Sequence, residues 1–256
     1  MNEPMGRLLS AAKQLLDTDL LLGGQFLPAG RNPLPPPAER LAVAQTPGAG
    51  PLPVEERVRL LEEIDIGQVR GCALCRLAAG RTQTVFGEGN PRAELVFVGE
   101  GPGEEEDRTG RPFVGRAGEL LTKMIQAMGL DRQDVYICNM VKCRPPNNRA
   151  PMSDEVQACW PYLMRQLQII SPRVIVTLGN PATQNLLTTA VGISKLRGQW
   201  QKLPPWVEGL EGIDVMPTFH PAYILRQYNQ DTRAKVWSDL RQVMVRLGIP
   251  PVSATG

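Results

Sequence analysis

The chain has 256 residues, 42% of them hydrophobic, with a formal net charge of +2 and a single histidine. This length fits one large domain, or one domain with an appendage. No apolar run reaches the roughly 18 residues that a membrane span needs, and near-neutrality excludes a broadly basic nucleic-acid coat while leaving room for a local basic groove.

The first segment, MNEPMGRLLSAAKQLLDTDLLLGG, carries acid early and has no apolar stretch closed by a cleavage site. A cytoplasmic protein without a signal peptide is therefore expected. Leucines at helical spacing over 5–22 predict a helix that either packs on the body of the protein or docks a protein partner. Residues 28–53 are rich in proline and hold no aromatic residue. Such a segment buries too little apolar surface to offset its ordering entropy and reads as a disordered or extended linker. Residues 1–55 are thus expected to be an N-terminal extension, and 56–250 the folded domain.

From there the pattern becomes α/β. Four short β-branched runs, 94–99, 135–141, 173–179 and 213–220, each predict a buried strand. Helical patterns fall between them over 117–129, 153–170 with Ser153 as N-cap, and 180–190, and a last one over 230–247 starts at Asp231–Thr232. Alternation of this kind predicts a three-layer α/β/α domain around a four-stranded parallel sheet. In such sheets ligands sit outside the carboxyl ends of the strands. The unusual loops GEGPGEEEDRTGRPF, NMVKCRPPNNR, GNPAT and HPAYILR all fall at those ends.

Four cysteines form a set: Cys72 and Cys75 in CALC, then Cys143 and Cys159. In a reducing compartment a C-x-x-C is a metal or redox site rather than a disulfide. The pair precedes the first strand, which argues against a thioredoxin-like motif, and the uneven spacing leaves zinc and an iron–sulfur cluster both open. Cys138 lies inside a strand and is expected to pack as a small hydrophobe. The loop GEGPGEEEDRTG lacks the G-K-[ST] of a phosphate cradle, and four consecutive acids would repel a phosphate. At least two of those acids are expected to be solvated only. Gly99, Gly101 and Gly103 let backbone N–H groups approach a ligand closely. Phe113, in GRPFVG, is either a core plug or a stacking platform for a planar ligand. The single histidine, His220, ends an apolar run and precedes a proline, and is either bonded in a turn or part of a site.

Taken in order, the C-x-x-C, GEGPGEEEDRTGRPFVGRAG, NMVKCRPPNNRAP, the further cysteine and HPAYILR resemble the family 4 uracil-DNA glycosylases, bacterial and archaeal DNA-repair enzymes. The resemblance covers about 60–248. It implies a [4Fe–4S] cluster on Cys72, Cys75, Cys143 and Cys159. It further implies that Phe113 stacks on a uracil flipped out of DNA, Asn139 reads the base edge, and His220 donates to O2. Glu100 and Gly101 would supply backbone contacts.

The best-known superfamily members carry a water-positioning aspartate where this chain has Gly101, which makes Glu100 the nearest candidate for that role. Gly103 replaces the bulky residue that excludes thymine elsewhere, so Glu106 would block the methyl. Tyr223, Ile224, Leu225 and Arg226 would form a loop that wedges the duplex, and Lys195 and Arg197 would contact phosphate. The expected partner is uracil-containing DNA, bound by a monomer with no membrane association. The rival is a non-catalytic iron–sulfur DNA-binding module, which has no reason to gather Asn139, Phe113 and His220 at strand ends. A relative that forms a covalent DNA adduct needs an extra histidine that is absent here. A zinc-stabilised nucleotide hydrolase needs a carboxylate and histidine set that cannot be assembled.

Overall fold

A computed structural model describes residues 52–207 and 209–250. The expectations for the leucine-rich helix and for the linker up to residue 51 lie outside the described residues. The first described helix is α1 (Val54–Ile64), so the expected boundary after residue 55 falls inside a helix.

Five-residue strands β2 (Leu95–Gly99), β4 (Val174–Leu178) and β6 (Asp214–Thr218) and four-residue β3 (Tyr136–Asn139) form where the apolar runs are. Two-residue strands β1 (Glu88–Gly89) and β5 (Gln201–Lys202) flank them. The sheet therefore has six strands in the order β1-β3-β2-β4-β6-β5, rather than the four expected. The pairs β3–β2, β2–β4 and β4–β6 are parallel, whereas both edge pairs are antiparallel. Two residues are too few to show a period-2 pattern, which is why the edges escaped the sequence.

Alternate strand residues feed two cores. Val96, Val98, Tyr136, Cys138, Ile175 and Val215 pack with α1, α4 (Ser153–Ile170) and α5 (Asn180–Leu186). Leu95, Phe97, Ile137, Val176 and Met216 pack with α3 (Arg116–Ala127), α7 (Pro221–Arg226) and α8 (Gln230–Leu247). Three layers result, each strand face covered as a parallel sheet requires.

Two short helices, α2 (Glu104–Thr109) and α7, sit in stretches expected to be loops, and α6 (Ile193–Leu196) falls where no element was expected. The expected caps also shift by a residue or two. Met152 precedes α4, and the Glu155 carboxylate accepts the Met152 N–H at 2.7 Å. The side chain of Asn229 accepts the Thr232 N–H at 2.8 Å and so starts α8.

Among the described residues no helix is long and apolar enough to cross a membrane. The chain order sends the connection after β2 to one side of the sheet and the connection after β4 to the other. Their carboxyl ends therefore open a crevice, the usual ligand position in such sheets.

Candidate base-binding site and cysteine cavity

A cavity of about 590 Å³ occupies that crevice. Its walls come from the loop after β2 (Glu100, Gly101, Gly103), the end of β3 (Asn139), the turn after β4 (Gly179, Asn180) and the segment after β6 (Phe219, His220), closed by Phe113 and Glu106.

Gly99 explains how two of these side chains meet. A Cβ there would lie 2.3 Å from Asn139 Oδ1 and 2.5 Å from Phe113 Cζ, so only glycine lets both lie over the end of β2. Asn139 is 1% exposed, and its Oδ1 has no hydrogen-bond partner. An unpaired buried acceptor costs about 1–3 kcal/mol, and this one borders a cavity that a ligand donor can enter.

Phe113 is buried in the core below the cavity and also lines it, a position compatible with either reading. Its φ of 52° is left-handed, a strained conformation for a bulky residue. Neighbours hold it there. Arg132 donates to the Phe113 carbonyl at 3.0 Å, and the Glu106 carboxylate accepts the Val114 and Gly115 N–H groups, each at 2.8 Å. Glu106 also accepts the Gly103 N–H at 3.1 Å, so one carboxylate ties the glycine loop to the Phe113 loop.

His220 caps α7. Its Nδ1 accepts the Ala222 N–H at 3.0 Å, which leaves the imidazole proton on Nε2. Burial, helped by the Arg226 charge and opposed by Glu106, lowers its pKa to about 4, so the ring is neutral at physiological pH. The His220 and Phe113 ring centroids are 5.8 Å apart, tilted by 33°. Gly179, at φ 86°, makes the approach possible, because a Cβ there would come within 2.9 Å of His220 Cβ. Burial raises the pKa of Glu100 above the ordinary carboxylate value.

The acidic run divides two and two. Glu104 and Glu105 are exposed, whereas Glu106 braces the loops and buried Asp107 accepts the Thr82 N–H at 3.0 Å.

The expected DNA contacts divide as well. Tyr223 and Arg226 are exposed at the cavity rim, Leu225 is half-buried, and Lys195 is exposed. Two expectations need correction. Ile224 is 2% exposed and packs in the core beneath α7, because helical geometry turns it inward, so it is no wedge. Arg197 is bound to the buried carboxylate of Asp239, with Nε 3.0 Å from Oδ2, and is not available to phosphate.

Cys72, Cys75, Cys143 and Cys159 border a second cavity, while Cys138 is buried in β3 away from it. None forms a disulfide. Three of the four sulfurs receive donors: Arg81 to Cys143 at 3.2 Å, the Lys142 N–H to Cys159 at 3.2 Å and the Tyr162 hydroxyl to Cys72 at 3.5 Å. Such donors support thiolate ligands. Among the described residues, however, no group of three or more His, Cys, Asp or Glu is arranged as it stands to hold a metal ion.

The sequence reading missed Gly179 and buried Lys142, and it gave Gly99 a backbone contact rather than the room it leaves for two side chains. Gly99 ends β2 and Gly179 follows β4, positions that carried a faint signal; Lys142 carried none.

The chain is thus an α/β protein whose strand-end cavity gathers an aromatic ring, an open amide and a neutral histidine, groups suited to a small planar ligand. Residues 86–241 match the family described as the uracil DNA glycosylase superfamily. The chain is 50% identical over 183 residues to a type-4 uracil-DNA glycosylase of Thermotoga maritima, covering 71% of this chain and 92% of that protein. It is 48% identical to one of Sulfurisphaera tokodaii, covering 72% and 83%, and 43% identical to one of Archaeoglobus fulgidus, covering 72% and 92%. The chain belongs to the uracil DNA glycosylase superfamily, in its type-4 branch.

Proposed function

We propose that the chain excises uracil from DNA by hydrolysing its N-glycosidic bond, leaving an abasic site. The observation that carries this reading is the unpaired Asn139 Oδ1 in a cavity shared with Phe113 and His220. Uracil offers N3–H to that oxygen and O4 to the Asn139 amide. Cytosine presents the opposite polarity at both atoms and would leave buried groups unpaired. The base must leave the stack to enter, and Phe113 offers it a new stacking face.

Bond cleavage leaves positive charge on the sugar and negative charge on departing uracil, much of it on O2. The Nε2–H of neutral His220 is the donor for that oxygen, and it stabilises charge that develops in the transition state. Glu100 orients the water whose oxygen bonds to the sugar carbon. Tyr223, Leu225, Arg226 and Lys195 are the proposed DNA contacts.

The four cysteines suit a [4Fe–4S] cluster by their soft donor set and the hydrogen bonds to three sulfurs. Cys72, Cys75, Cys143 and Cys159 would hold it. When bound, it supplies a cross-link between the segment after α1, the loop after β3 and α4.

A uracil-containing oligonucleotide incubated with the protein and then treated with alkali should break at the uracil, with cytosine and thymine controls intact. An unbroken uracil strand overturns the activity. Iron analysis should give about four irons per chain, and stoichiometric zinc without iron after anaerobic purification overturns the cluster.

A further inference from the structure

Lys142 is buried at 1% exposure, and its ammonium group meets neutral oxygens rather than a carboxylate. Its Nζ donates to the backbone carbonyl of Asn139 at 2.9 Å and to Gln166 Oε1, and lies 5.8 Å from the Phe86 ring centroid. Gln166 is itself held, its amide donating to the Phe86 carbonyl at 3.0 Å and to the Tyr136 hydroxyl at 3.2 Å. Asp65, Cys138, Cys143 and Cys159 are the groups near it that can carry negative charge, but its hydrogen bonds go to neutral oxygens, and the excision chemistry gives it no direct task.

Strand geometry supplies the task. The Met140 N–H bonds to Gly99 on β2 at 2.9 Å, so the adjacent Asn139 carbonyl points the opposite way, toward β1. That edge strand pairs only with Tyr136 and Ile137 and stops short of Asn139. Without Lys142 the carbonyl would be a buried acceptor that β1 does not reach, and the residue that bears the open amide could rotate to satisfy it.

We propose that Lys142 is a positioning residue for base recognition: it fixes the backbone of Asn139 so that the side-chain Oδ1 stays turned into the cavity. This rests on the uracil-reading role proposed for Asn139. Both ammonium and amine forms of Lys142 can donate to the two oxygens, so the role does not depend on its protonation.

The test is a double-mutant cycle on the holoprotein, read by single-turnover excision, with iron content and thermal unfolding recorded for each variant. Lys142→Met should lower the rate about 10- to 100-fold, as small misplacements of a reacting partner do. In an Asn139→Ala background the same substitution should have little further effect, because Lys142 acts through Asn139. Lys142→Arg, which keeps the donors, should recover part of the rate. If Lys142→Met does not fold, Lys142→Gln takes its place in the same cycle. An undiminished loss in the Asn139→Ala background overturns the proposal, as does a folded Lys142→Met protein with the wild-type rate. If the wild type itself excises no uracil, the proposed function fails instead.

Discussion

At the scale of single residues, one hydrogen bond decides what His220 can do. With Nδ1 occupied by the Ala222 N–H, only Nε2–H remains to act as a donor. His220→Ala should lower single-turnover excision about 100- to 1000-fold, the usual cost of one oxyanion donor. DNA affinity should change much less, since phosphate contacts dominate binding. His220→Gln should recover part of the rate; a His220→Ala enzyme within a few-fold of wild type would make the histidine purely structural. The same residue sets a pH effect on stability. The unfolded imidazole takes its proton near 6.5, the folded one only near 4. Between those values the unfolded chain binds more protons, so this contribution to stability is present above about 6.5 and is lost as the pH falls toward 4. Thermal unfolding should show wild type losing stability relative to His220→Gln across that window.

At the scale of elements, strand ends and helix faces determine which side chains reach the site. Gly99→Ala places a methyl group where Asn139 Oδ1 and Phe113 Cζ now lie, at 2.3 and 2.5 Å. It should abolish uracil excision while leaving circular dichroism and iron content close to wild type. Retained activity would mean that the two side chains do not need to converge. Arg197 and Lys195 sit two residues apart and should behave oppositely. Arg197→Ala leaves the buried Asp239 without its ion-pair partner and should cost about 3–5 kcal/mol of stability. Lys195→Ala should leave stability alone and lower the salt slope of DNA binding by about one. In the sequence both read as one basic pair, because Asp239 lies on α8, 42 residues from Arg197.

At the scale of the whole molecule, α1 belongs to the folded domain. The Arg57 guanidinium on α1 donates to the carbonyls of Leu52, Pro91 and Ile170, tying the helix to the turn between β1 and β2 and to the end of α4. Removing residues 1–51 should therefore leave the single-turnover rate on a short oligonucleotide nearly unchanged. Removing residues through Arg57 should lower the thermal midpoint. A large loss of rate in the shorter deletion would place the N-terminal segment within the active domain.

The central strands, the longer helices and the order of the motifs were legible in the sequence, because each follows from local hydrophobic period and turn chemistry. The run LVFVG predicts a strand buried on both faces, and the structure buries all five residues. The last helix runs over 230–247 as its periodicity predicts. What the sequence did not carry were contacts between distant positions. Gly99 is needed for Asn139 and Phe113, Lys142 for the Asn139 backbone, and Asp239 for Arg197. Ile224 turns inward because α7 lies against α3, and the two edge strands exist because β3 and β6 offer free ladders. A chain specifies its periodicities locally, but which polar group lacks a partner is settled only when the elements pack.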